Sequence, residues 1–127
     1  MTLVVDASAV AEILFGTEAG HRAAALIGGH DLLAPQHLTA EVASVIRGWS
    51  LSRQITEEQA LRAFREFDAL GVEQVPMMPT LPAVHALRHN VSAYDAMYVV
   101  LARAAQSSLL TLDARLAAAV PDCALLP

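Results

Sequence analysis

Four acidic side chains stand where chemistry could use them. Asp6 and Asp113 each follow a short apolar run, Thr2 to Val5 and Leu109 to Leu112. Such runs read as buried parallel strands, and in open parallel sheets the carboxyl ends of strands line the ligand crevice. Glu41 lies at the margin of a helical apolar stripe, roughly 75° from its centre at about 100° per residue. Asp95 falls in the first turn of a nearly all-apolar helical segment. Gathered in one crevice, these carboxylates would repel, so at least one should titrate above its usual range. A hard cation such as Mg²⁺ or Mn²⁺ suits an all-oxygen site of this kind. With such an ion the site can activate water and stabilise the leaving oxygen of a phosphodiester.

Each acid also has a simpler role. Ser92-x-x-Asp95 is a capping box, Asp6 and Asp113 could be helix N-caps, and Glu41 could be a solvated surface residue. Other constellations are weaker. His85 and His89 have the i, i+4 spacing of a helical metal pair, but no glutamate follows His85 and exposure is the simpler expectation. Asp6-Ala7-Ser8 lacks the second aspartate of DxD phosphatases, and no GxGxxG is present. Tyr94 and Tyr98 read as helix packing, with base stacking the lesser alternative. Arg47, Arg53, Arg62, Arg65 and Arg103 are candidate phosphate contacts; Arg62 and Arg65, with glutamates nearby, read as a solvated face.

The elements that must position these residues alternate between strand and helix. Thr2 to Val5 is the first strand, and Ser8 can cap a helix through Val10, Ile13 and Leu14. Glu18 to Ile27 is a helix stopped by Gly28-Gly29, and Asp31 to Ala34 a strand. His37 to Ser52 carries Leu38, Val42, Val45, Ile46 and Trp49 on one stripe. The Thr56-Glu57-Glu58-Gln59 capping box opens a helix to Leu70. Val72 to Val75 is a strand, Ala83 to His89 and Ser92 to Gln106 are helices, and Leu109 to Leu112 is a strand. Ala114 to Val120 is a short helix and Ala124 to Leu126 a last strand. The alternation predicts a three-layer α/β domain on a parallel sheet, with residues 1–127 forming one domain.

Composition narrows the function classes. The chain has 127 residues, 55% of them hydrophobic and 17% charged, a rich core supply for one domain. All eight basic residues are arginine, so P-loop and Schiff-base chemistry, which need lysine, are excluded. A net charge of −5 argues against a protein that coats nucleic acid; it allows a nuclease whose carboxylates hold cations. One cysteine, Cys123, and the lack of a membrane-length apolar stretch or leader-like start lead us to expect a cytoplasmic protein. The apolar surplus leads us to expect a homodimer, with the Trp49 helix end and the Met77-Met78 loop as contributors.

The stretches VVDAS (Val4 to Ser8), LTAEVASVIR (Leu38 to Arg47), NVSAYDAMYVVLAR (Asn90 to Arg103) and LLTLDARL (Leu109 to Leu116) resemble the VapC group of PIN domains in order and spacing. The resemblance implies a PIN-like three-layer α/β/α sandwich with strand order 3-2-1-4-5. It makes Asp6, Glu41, Asp95 and Asp113 the acidic metal-site residues, with Ser8 and Thr111 as supporting polar groups. It also implies a Mg²⁺- or Mn²⁺-dependent endoribonuclease, a homodimer, and a cognate VapB-type antitoxin, as in the toxin half of a type II toxin–antitoxin system. The alternatives are a catalytically silent PIN-like module that binds a protein partner, and a metal-dependent phosphatase.

Overall fold

A computed structural model describes all 127 residues. Five parallel strands form one sheet: β1 (Thr2–Val5), β2 (Asp31–Pro35), β3 (Glu73–Val75), β4 (Leu109–Leu110) and β5 (Ala124–Leu125). Their order is β3-β2-β1-β4-β5, the expected α/β sandwich topology. Central β1 pairs Val4 with Leu33 of β2 on one side and with Leu109 of β4 on the other. The strand order reverses between β1 and β4, which opens a crevice at their carboxyl ends. Asp6 follows β1 directly, and Asp113 lies three residues beyond the end of β4.

The helices are α1 (Ala7–Phe15), α2 (Glu18–Ile27), α3 (Leu38–Leu51), α4 (Glu57–Ala69), α5 (Leu81–Ala86), α6 (Ala93–Ala104) and α7 (Ala114–Ala119). Helix α1 packs on α2, α3 and α4, whereas α6 lies against α5 and strands β1, β2 and β4. A contiguous core of 24 buried residues runs through these layers, including Val4, Val10, Val42, Ile46, Tyr98, Val99 and Leu110. Helices α1 and α2 approach so closely that a Cβ on Gly20 would stand 1.9 Å from the Glu12 carbonyl oxygen. No helix is long and apolar enough to cross a membrane.

Several boundaries differ from the sequence pattern, and side chains that capture backbone donors explain two of them. The fourth strand stops at Leu110 instead of Leu112. Past it, the Leu112 N–H donates to Ser8 Oγ at 3.0 Å and the Asp113 N–H to Thr111 Oγ1 at 3.0 Å. Asp6, not Ser8, caps α1, accepting from the Ala9 N–H at 3.0 Å. Helix α5 starts earlier than expected, at Leu81 after a 3₁₀ turn at Met78–Thr80, and ends at Ala86. His85 and His89 therefore do not share a helix, and both are exposed. The expected Thr56–Gln59 capping box is formed in full.

Candidate active site

Each of the four acids comes from a different element. Asp6 caps α1, Glu41 lies in the first turn of α3, Asp95 in the first turn of α6, and Asp113 caps α7. All four line one cavity of about 310 Å³, together with Ser8 and Tyr98. Thr111 is fully buried and does not line the cavity; its Oγ1 accepts from the Asp113 amide.

The hydrogen bonds leave part of each carboxylate free. Asp6 Oδ1 accepts from Ser8 Oγ at 2.6 Å and from the Ala9 N–H, leaving Oδ2 without a well-formed bond. Asp113 Oδ1 accepts from the Arg115 and Leu116 amides at 2.9 and 3.2 Å, again leaving Oδ2 free. Glu41 Oε1 accepts from the Tyr98 hydroxyl at 2.7 Å, and Oε2 is free. The Asp95 amide donates to Ser92 Oγ at 3.1 Å, but its carboxylate does not accept from the Ser92 backbone N–H in return. The expected box at Ser92–Asp95 is thus half formed, and its acid faces the groove instead.

The electrostatics follow from burial. Asp6 is 6% exposed, and loss of solvent pushes its carboxyl above the ordinary range. Ser8, Thr111 and the Ala9 amide pull it partway back, and the charge of Asp95 adds to the rise. Asp95 is also raised, chiefly by burial and then by Asp113, against the Ser92 hydrogen bond and His37. The expected upward shift therefore falls on two members of the set. Burial first, and then the Glu41 bond and charge, hold the Tyr98 hydroxyl far above its ordinary value, so it stays a donor.

Two contributors were not legible as site residues. Tyr98, read as packing, is 1% exposed and does pack, but its hydroxyl also pins Glu41. His37 has its Nε2 3.3 Å from Glu41 Oε1, near enough for an ion pair but not aligned for a hydrogen bond. Its ring stands edge-on to Tyr98 at 5.0 Å. The 57-residue separation of Tyr98 and Glu41 carries no local sequence signal. Among the arginines, Arg103 is held by Asp122 through two bonds of 3.0 Å. Arg62 lies 4.0 Å from Glu66. Trp49 packs edge-on against Phe15 within the chain, and Met77 is buried while Met78 is 78% exposed.

The donor set fits a hard divalent cation in chemistry: carboxylate oxygens, free on one side, with no thiolate or imidazole required. No three acidic or imidazole side chains close into a tight cage.

The family profile described as the PIN domain matches residues 3–120. The chain is 43% identical over 123 residues to Ribonuclease VapC1 of Mycobacterium tuberculosis, covering 91% of this chain and 89% of that one. It is 35% identical over 128 residues to Ribonuclease VapC3 of Pyrobaculum aerophilum, covering 95% and 96%. The solved structure of PAE2754 from Pyrobaculum aerophilum superposes with a TM-score of 0.69 over 98% of this chain and 83% of that one, at 19% identity, a likeness of fold. On the profile and these relatives, the chain belongs to the PIN-domain family and, within it, to the VapC ribonucleases.

Proposed function

We propose that this protein is a divalent-metal-dependent endoribonuclease and the toxin of a toxin–antitoxin pair. The observation that carries the reading is the convergence of Asp6, Glu41, Asp95 and Asp113, from four elements, on one groove. The ribonuclease names of the relatives supply the substrate class. Asp6, Asp95, Asp113 and Glu41 are the residues that would hold Mg²⁺ or Mn²⁺. When bound, such an ion neutralises developing phosphate charge and makes water nucleophilic near neutral pH.

The chain's own part is positioning. Ser8 and the Ala9 amide fix Asp6 by one oxygen, and the Arg115 and Leu116 amides fix Asp113 likewise. Tyr98 fixes Glu41. Each of these three acids is so held through one oxygen, in a site whose supporting side chains are already set. The reaction is in-line attack of water on an RNA phosphodiester, expelling the 3′ oxygen and leaving a 5′ phosphate. A VapB-type antitoxin would silence it by laying a basic side chain over the acidic groove, where an arginine fork matches carboxylates. Exposed Met78 and Leu81, 78% and 44% accessible, support a homodimer.

The test is purified protein with total RNA and structured RNA fragments, in Mn²⁺, in Mg²⁺ and in chelator, beside Asp6→Asn. Cleavage with metal that chelator and the substitution both abolish supports the reading, as does Mn²⁺ binding by calorimetry that Asp6→Asn weakens. Intact RNA under all conditions, with no metal binding, refutes it.

A further inference from the structure

A second cavity, of about 520 Å³, adjoins the acidic groove and shares Asp95 and Asp113 with it. Its other polar lining includes Arg88, just past α5, and Arg115, on α7. Neither arginine lies within salt-bridge distance of a carboxylate, although two acids line the same space. Arg22, Arg62 and Arg103 have acidic partners; Arg47, Arg53 and Arg65 have none, but they line neither of these cavities. In a chain with net charge −5, two unpaired guanidiniums facing one cavity beside a carboxylate cluster call for an anion.

One tip of the Arg88 guanidinium is engaged, its Nη1 donating to the His85 carbonyl at 3.1 Å, which leaves Nε and Nη2 uncommitted. His89 and Asn90 add hydrogen-bonding groups to the same wall. No phenylalanine, tyrosine or tryptophan lines the cavity, so it offers no platform for stacking a base. What it offers is two planar cations from separate elements, suited to phosphate oxygens.

We propose that Arg88 and Arg115 form a phosphate-binding subsite that grips the RNA backbone next to the bond being cut. This rests on the ribonuclease reading above and extends it. The strand would cross from the acidic groove, where cutting occurs, into the basic wall, which holds a flanking phosphate irrespective of sequence. These two residues are positioning residues; they act on binding, not on the reacting atoms. The five arginines singled out from sequence did not include either, because nothing in the local pattern links position 88 to position 115.

The probe is a fluorescently labelled single-stranded RNA of mixed sequence. Binding is read by anisotropy at several salt concentrations on Asp6→Asn protein in Mg²⁺, which leaves the probe intact. Arg88→Gln and Arg115→Gln are added singly and together, with Arg62→Gln as a control on the remote α4 face. Each cavity substitution should weaken binding about five-fold and flatten the slope of log affinity against log salt by about 0.7. Arg62→Gln should change neither. In otherwise wild-type protein the same substitutions should raise KM and leave kcat nearly unchanged, and Arg88→Lys should recover part of the loss. Both guanidiniums are on exposed residues, so melting temperatures should hold. If wild type cleaves RNA but the cavity variants match Arg62→Gln in affinity, slope and KM, the subsite is refuted while the ribonuclease reading stands, and the cavity falls to a protein partner. If the probe binds with the expected arginine dependence and wild type cuts no RNA, the subsite stands and the ribonuclease reading falls.

Discussion

Replacing Tyr98 by Phe removes one atom and tests how the site is held. The Tyr98 hydroxyl donates to Glu41 Oε1 at 2.7 Å and joins α6 to α3 across the groove. The ring is 1% exposed, so Phe fills the same space and leaves no cavity. A hydrogen bond to a charged acceptor contributes about 1.5–3 kcal/mol when well shielded. The Glu41 side chain is one-third exposed (33%), so water can replace the lost donor and the net cost should fall to about 1–2 kcal/mol. For a chain of this length that is a drop of about 3–6 °C in Tm. Removing the acceptor first should remove most of the effect. In a double-mutant cycle with Glu41→Met, which has no acceptor oxygen there, the coupling should reach about 1 kcal/mol. The second assay is Mn²⁺ titration by calorimetry. A carboxylate freed from its orienting partner should bind the ion about 10-fold more weakly or worse. A Tyr98→Phe variant that melts with wild type, shows no coupling to Glu41→Met, and binds Mn²⁺ as well as wild type would refute this role for the hydroxyl.

Asp6→Asn should stabilise the metal-free protein at neutral pH, and the sign follows from linkage. Burial raises the folded carboxyl above its unfolded value near 3.8, so the folded state binds the proton more tightly and wild-type stability falls as pH rises through that window. Thermal melts in chelator should show no advantage of the variant at acid pH and a gain of ~1 kcal/mol at pH 7; an advantage that grows toward acid pH refutes the assignment. Asp113→Asn, at an exposed cap where asparagine serves as well as aspartate, should melt within about 0.5 kcal/mol of wild type in chelator while reducing RNA cleavage; a large loss of stability would show the cap to be irreplaceable. Gly20→Ala should destabilise by more than about 2 kcal/mol, because its Cβ would fall 1.9 Å from the Glu12 carbonyl oxygen of α1. Urea unfolding measures it, and an unchanged midpoint would mean that α1 and α2 are free to separate.

Local pattern fixed the elements that packing did not contest. The Thr2–Val5 run, the Thr56–Gln59 box and the stripe of Leu38, Val42 and Ile46 appear where periodicity puts them. The strand order came from family likeness, since alternation alone does not say which strands neighbour. What stayed hidden depends on residues far apart in the chain. Ser8 looked like a helix cap, but its hydroxyl donates to Asp6 and accepts from Leu112, 104 residues away, stitching the ends of β1 and β4 together. That long-range bond also shortens the fourth strand, because it removes a donor the ladder would have used. Arg88 and Arg115 share a cavity only because α5 and α7 are brought to the same rim.

The capping role of the acids and their proposed metal-site role are compatible. An N-cap aspartate turns one oxygen toward the helix amides, and at Asp6 and at Asp113 a single Oδ1 takes both bonds. The second oxygen is then directed by a rigid helix end and left without a well-formed partner. Glu41 reaches the same state through Tyr98 on Oε1. Asp95 differs, since Ser92 caps its amide and no backbone amide takes its carboxylate. A carboxylate held by one oxygen has lost most of its rotamer freedom before any ligand arrives. The cap therefore preorganises the carboxylate, and the strand-then-aspartate pattern would serve folding and the proposed chemistry with the same residue. This also explains why burial is tolerated at Asp6. The hydrogen bonds that fix it offset part of the desolvation cost, and a cation in the groove would offset the rest, so the metal-free protein should carry a residual strain that metal relieves.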